Sequence, residues 1–311
     1  MYDRLSSLVS TNTPCFFYTD FKGSQLHCFS LDELKDHDIE FSFHAPQSKL
    51  NSPHKPLNFP LSHEVYAHKF NAVQEHIRAG NTYLLNLTQP THLLTPYSLQ
   101  EIYTMAYAPY KVRINNQFVS FSPEAFITIE NNTINTYPMK GTIDASLPNA
   151  IETILADSKE LAEHTMIVDL LRNDLGIVAN NIRVETFRYI TSINTGNKKL
   201  HQVSSHICGD LDSNWRDNIG NLLKALLPAG SISGTPKKKT VEIIEEIENY
   251  ERGYFSGIFG HYDGENLYSA VAIRFIENSN GTLIYKSGGG ITAESECDKE
   301  YQEMIDKIYI P

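Results

Sequence analysis

The chain has 311 residues, 41% of them hydrophobic, enough to bury a core in one large domain or two modest ones. A net charge of −11 leaves Lys237-Lys238-Lys239 as the one obvious basic run, so no nucleic-acid partner is expected. Cys15, Cys28, Cys208 and Cys297 are scattered without a C-x-x-C pair, which argues against a zinc ribbon or disulfide framework and fits a reducing cytoplasm. Asp3, Arg4 and Asp20 interrupt the first apolar runs and no stretch reaches membrane length, so a soluble, unprocessed protein with no membrane contact is expected.

In chain order, "PCFFYTDFKGSQLHCFS" at 14–30 predicts two strands around a Lys22-Gly23 turn. Residues 44–63 carry four prolines and no apolar period, and read as a connection. A helix is predicted from Glu64 to a stop at Gly80, with Val65, Phe70, Val73 and Ile77 on its apolar side. "TYLLNLTQP" is strand-like. Further strands are predicted at 117–129, 133–138, 256–276 and 282–287, and helices at 157–175, 216–227, 236–249 and 298–309. Strands and helices mix without a regular βαβ alternation, which predicts an α+β fold.

Two motifs fail on inspection. In "SHEVYAH" the histidines His63 and His68 are five residues apart, roughly 140° around a helix, and cannot share a face as in a zinc protease. "GSISGTPKK" fits no phosphate-loop register and reads as a helix start, with Thr235 as N-cap and Pro236 at the first helical position.

A stronger signal is one spacing repeated on two predicted helices, Glu160-x-x-Glu163 and Glu300-x-x-Glu303. On the first, both acids share a sector of the wheel with Ile167, Leu170, Leu171 and Asp174, so they lie beside apolar side chains and need a partner. A hard divalent cation such as Mg²⁺ would supply it. The alternative is a pair of exposed helix acids, with Glu160 completing a capping box from Asp157; two matching pairs favour a site.

The blocks "GNTYLLNLTQP", "SFSPEAF", "YPMKGT", "EHTMIVDLLRNDLG", "LLPAGSISGTPKKKTVEIIEEIE", "RGYFSGIFGH", "AVAIRF" and "SGGGITAESECDKEYQEMIDK" occur in that order from about Glu64 to Lys307. They resemble the chorismate-utilising enzymes, the family of anthranilate, aminodeoxychorismate, isochorismate and salicylate synthases. The resemblance implies two facing antiparallel sheets with helices outside and a site in the cleft between them. It implies that residues 64–311 form the chorismate-binding catalytic domain, and that residues 1–63, a shortened N-terminal region of strands and Pro-rich connection, are part of the same domain. The residue before Gly-Thr sorts this family: most members have alanine, and aminodeoxychorismate synthase component I has lysine, as here at Lys140.

That resemblance implies that Lys140 is a nucleophile toward chorismate and that Glu124 is the general acid for the departing hydroxyl. It implies that Glu163 and Glu303 ligate Mg²⁺, with Glu160 and Glu300 behind them. Arg274, Lys307 and the backbone of Gly288 and Gly289 would hold substrate carboxylates, and Thr142 and Ser231 would add polar contacts. Ammonia would come free or from a separate glutamine amidotransferase. From the residues alone, Lys140 could be an exposed strand-end lysine, Glu124 a turn residue, Arg274 a surface cation and the glycine run a tight turn. A nucleophilic lysine must fall from about 10.4 toward about 7 to 8. Burial beside Pro138 and Met139 would favour that and nearby carboxylates would oppose it.

The sequence also departs from the family. Leu84 stands where isochorismate and salicylate synthases carry a water-activating lysine, which argues against both activities. Gln202 replaces a common histidine, Phe255 a common tyrosine, and Cys297 a usual proline, read here as a small helix-start residue. No Leu-Leu-Glu-Ser motif for tryptophan and no glutaminase-like cysteine motif is present.

Overall fold

The computed structural model describes residues 2–43, 54–194 and 199–311. The first half of the Pro-rich connection, residues 44–53, lies outside the described residues. In chain order the elements are α1 (Tyr2–Ser10), β1 (Cys15–Thr19), β2 (Leu26–Ser30), β3 (Ile39–Phe43), β4 (Leu57–Phe59), α2 (His63–Arg78), β5 (Leu84–Leu94) and α3 (Leu99–Met105). Then follow β6 (Tyr110–Ile114), β7 (Phe118–Ser122), β8 (Ala125–Glu130), β9 (Thr133–Thr136), β10 (Met139–Asp144), α4 (Ala150–Ala156) and α5 (Ser158–Leu175). The chain continues with β11 (Asn180–Asn194), β12 (Lys199–Asp210), α6 (Trp215–Leu226), β13 (Gly234–Thr235) and α7 (Lys237–Glu248). It ends with β14 (Ile258–Tyr262), β15 (Leu267–Val271), β16 (Phe275–Ser279), β17 (Thr282–Ile291) and α8 (Cys297–Asp306).

The strands form two antiparallel sheets. One runs β10-β12-β9-β8-β15-β14-β1-β2, with β11 on the free side of β12; the other runs β13-β5-β17-β16-β7-β6-β3, with β4 on β5. The sheets face each other, because one buried cluster takes Phe16, Tyr18 and Phe259 from the first and Val112, Phe118 and Phe275 from the second. Each such aromatic contributes about 1.5–3 kcal/mol by leaving water. A second core joins the first sheet to α1, α2, α5, α6 and α7 through residues such as Leu5, Val73, Leu171, Leu223 and Ile243. The expected α+β fold of two facing antiparallel sheets with outer helices is what forms.

Two predicted strands prove to be composite, and their breaks matter. The stretch 117–129 is β7 in one sheet and β8 in the other, handed across at Pro123-Glu124. The stretch 256–276 is β14, β15 and β16, and its last break, Ala272-Ile273-Arg274, crosses between the same two sheets. The apolar runs are interrupted only briefly at both crossings, so periodicity alone reads them as unbroken strands. The crossings are tied together: Val271 N donates to Glu124 O (3.2 Å) and Phe121 N to Arg274 O (3.1 Å).

Other expectations shift by local chemistry. In α2 Ser62 caps the start and Tyr66 is buried, whereas Val65, expected on the apolar side, is half exposed. Helix α7 begins at Lys237, so Pro236 is its N-cap and Thr235 belongs to β13, paired with Leu84. The long hairpin β11–β12 and the helices α1, α3 and α4 were not expected. Among the described residues no helix is long and apolar enough to cross a membrane.

Candidate functional site

Lys140 lies on β10, whose register against β12 shifts between Met139 and Thr142. Such a bulge re-aims a side chain. Gly141 makes it possible with φ +94°, and a Cβ there would stand 2.9 Å from Glu160 Oε2. His164 fixes the backbone: its Nδ1 donates to the Lys140 carbonyl (3.3 Å) and its Nε2 accepts from the Ser205 hydroxyl (2.7 Å). Burial lowers the His164 pKa, in keeping with this neutral tautomer.

Helix α5 presents Glu160, Glu163, Ile167 and Asp174 on one side, as the wheel predicts. Asp157 caps it by accepting from Lys159 N and Glu160 N. Glu160 does not complete a capping box: its carboxylate turns toward the cavity, and its Oε2 is buried without a hydrogen-bond partner. Glu163 pairs with Lys140 (2.7 Å), and Lys159 stands 3.9 Å away. On α8, Glu303 pairs with Lys307 (2.6 Å) and Glu300 accepts from Ser295 Oγ (2.7 Å).

Lys140, Glu160, Glu163, Glu303 and Lys307 line one cavity of about 520 Å³ together with Glu124, Thr142, Ser231, Arg274 and Gly290, whereas Glu300 stands outside its lining. Glu124 and Arg274 arrive from the two sheet crossings. Arg274 holds φ +49°, a left-handed conformation that costs a non-glycine residue about 1–3 kcal/mol. Its Nε donates to the Tyr309 hydroxyl (3.4 Å), and its guanidinium lies 5.4 Å over that ring. Glu124 is hydrogen-bonded by Ser231. Leu84 is on the cavity wall.

Burial raises the Glu124 pKa against the opposing effects of Ser231, Lys307 and Arg274. Burial also raises Glu160 and Glu300, each reinforced by its neighbouring glutamate. For Glu303 burial is outweighed by Lys307, Lys140 and Arg274, and its pKa is lowered. Lys307 is lowered by burial. Lys140 differs from expectation: burial does favour its neutral form, but Glu163, Glu303 and Glu160 outweigh it and the pKa is raised. In this state Lys140 is an ammonium paired with Glu163.

The glycine run is shaped by close packing. A Cβ on Gly288 would lie 2.1 Å from Leu87 O, so close strand packing requires glycine there. Its carbonyl accepts from Lys307 Nζ (2.7 Å). Gly289 backs onto Glu300, Glu303 and Lys307, while Gly290 and Thr292 reach the main cavity. Gly288 instead lines a smaller adjoining cavity of about 120 Å³, as does Phe255. Sequence reasoning did not single out His164, Ser205, Tyr309 or Ser295, which hold the reactive groups from behind and carry no spacing signal of their own. Gln202, noted only as a departure, lies opposite Thr142 in the β10–β12 register, on the cavity wall, with Oε1 buried and unpartnered.

A family model described as chorismate binding enzyme matches residues 13–311. The chain belongs to the chorismate-binding enzyme family. An uncharacterised PabA-like protein of Pasteurella multocida is 48% identical over 304 residues, covering 96% of this chain and 94% of the relative. Aminodeoxychorismate synthase component 1 of Escherichia coli is 34% identical over 266 residues, 80% of this chain and 57% of that longer protein. The crystal structure of anthranilate synthase component I from Streptococcus pneumoniae superposes with a TM-score of 0.73 at 20% identity, over 99% of this chain and 84% of that one, which shows the fold.

Proposed function

We propose that this chorismate-binding enzyme is a Mg²⁺-dependent aminodeoxychorismate synthase subunit, converting chorismate and ammonia to 4-amino-4-deoxychorismate on the path to para-aminobenzoate and folate. The observation that carries the reading is Lys140 itself, bulged out of β10 into a cavity that also holds Glu124, Arg274 and Lys307.

The residues fit a hard cation. Glu163 and Glu303 offer carboxylate oxygens to one cavity, Glu160 Oε2 is buried without a partner, and Lys140 and Lys307 are the charges balancing the acids. An all-oxygen donor set suits Mg²⁺. Glu163 and Glu303 would hold it, with Glu160 and Glu300 behind; when bound, the ion supplies positive charge for these acids and for the ring carboxylate of chorismate.

The rest is work for side chains. Arg274 and Lys307 bind the substrate's carboxylates, Arg274 through a planar fork pre-set by Tyr309. Lys140, once deprotonated, attacks ring carbon C2 as the C4 hydroxyl leaves with the proton of Glu124, whose raised pKa suits a general acid. Ammonia then bonds to C4 and expels the lysine from C2. The net exchange is hydroxyl for amine with release of water, and the enolpyruvyl group stays. Ammonia would arrive free or from a glutamine amidotransferase subunit. A cytoplasmic setting belongs to the same reading, in accord with four free cysteines.

The test is product analysis by mass spectrometry after incubating the protein with chorismate, Mg²⁺ and an ammonium salt at mildly alkaline pH. An amine-for-hydroxyl product that keeps its enolpyruvyl group supports the reading. Anthranilate with free pyruvate overturns it.

A further inference from the structure

At the other end of α8 from Lys307, three donors of different chemistry converge. Cys297 and Asp298 open α8, and His63 opens α2. One ligand atom from each, the Cys297 thiol, an Asp298 carboxylate oxygen and a His63 ring nitrogen, lie within 4.8 Å of one another. His63 Nε2 and Asp298 Oδ1 are already 2.8 Å apart. Donors sharing one tetrahedral zinc lie about 3.3–3.6 Å apart, given metal–ligand bonds of about 2.0–2.3 Å, so only small side-chain adjustments separate this arrangement from a coordination shell.

The cluster is held from below. The His63 ring packs edge-on against Tyr301, centroids 5.1 Å apart, and the Tyr301 hydroxyl donates to Leu61 O (2.8 Å) just before α2. His63 and Asp298 are exposed and Cys297 is partly buried, so an ion has access from solvent while the sulfur sits at the base.

We propose that His63, Cys297 and Asp298 form a binding site for a thiophilic divalent cation of the Zn²⁺ type, bridging the starts of α2 and α8. Nitrogen, sulfur and one carboxylate select zinc-like ions over Mg²⁺, which takes oxygen ligands. The site is distinct from the all-carboxylate site and independent of the activity proposed above. Three protein donors leave a position for water or an outside ligand. Binding replaces the thiol proton, which leaves to solvent, with a metal–sulfur bond.

The test is titration of chelator-stripped full-length protein with Co²⁺ as a spectroscopic probe, followed by displacement with Zn²⁺. The expected result is a thiolate-to-cobalt charge-transfer band that saturates at one ion per chain. It should vanish in Cys297→Ser, weaken by at least about tenfold in affinity in His63→Ala, and persist when Glu163→Gln and Glu303→Gln silence the carboxylate site. Both donor substitutions are at the surface edge of helices, and circular dichroism checks that each variant is folded. Absence of the band in wild-type protein, its survival in Cys297→Ser, or an unchanged affinity in His63→Ala would each overturn the site.

Discussion

The two lysine–glutamate pairs of the cavity look alike and differ in what surrounds them. Lys307 meets Glu303 at 2.6 Å and is also tied to the Gly288 carbonyl at 2.7 Å. Lys140 meets Glu163 at 2.7 Å from a bulged strand whose backbone, not its ammonium, is fixed by His164. Net shifts run in opposite directions: burial lowers Lys307, while three carboxylates raise Lys140. A lysine anchored at two points serves to hold a substrate charge. One whose charge depends on nearby acids changes state when those acids find another counter-charge. On this account Lys140 does the chemistry and Lys307 the binding.

The sharpest way to break that contrast is to exchange the losses. Lys140→Ala should lower kcat by about 10³-fold or more while leaving chorismate binding near wild type, measured by steady-state kinetics beside direct binding. Lys307→Met should mainly raise KM, by about tenfold, the worth of one charge-assisted contact. Equal effects of the two on kcat would remove the distinction.

Glu124→Gln should cost about 10²-fold in kcat, and the wild-type loss of activity as pH rises through the Glu124 pKa should be absent from the residual rate. The sign for stability follows from the same shift. The folded protein keeps a proton that the unfolded chain has released, so this contribution is full below the ordinary carboxylate pKa and is lost as pH rises through the raised one. The thermal midpoint of Glu124→Gln relative to wild type should therefore climb across that window.

The smallest effect is at Glu160. Its unpartnered buried oxygen makes the carboxylate a cost to the metal-free fold. Glu160→Gln should slightly raise the metal-free melting temperature and reduce the rise that Mg²⁺ produces, read by thermal denaturation with and without the ion. A variant with a lower metal-free midpoint and an unchanged Mg²⁺ response would place Glu160 outside any cation site.

Much of this was legible in the sequence because helix periodicity is local. The wheel of α5 puts Glu160 and Glu163 beside Ile167 and Leu170, and the structure keeps them there. The sheet crossings were not legible, since Pro123-Glu124 and Ile273-Arg274 interrupt apolar runs too briefly to register as ends. Yet those interruptions deliver Glu124 and Arg274 to the cavity. Arg274 in particular needs a left-handed backbone that only tertiary hydrogen bonds impose. The Lys140 charge state was also out of reach, because it depends on how closely tertiary packing brings β10 to Glu163 of α5, and then to Glu303 of α8 and Glu160 of α5.

The most direct test of the central claim is the intact mass of the protein incubated with chorismate and Mg²⁺ without ammonia. The account predicts an added mass of chorismate less one water, mapped to Lys140 by peptide analysis, absent from Lys140→Ala and discharged by ammonium. Amination of chorismate with no adduct on Lys140 under any quenching condition, at undiminished rate in Lys140→Ala, would contradict it.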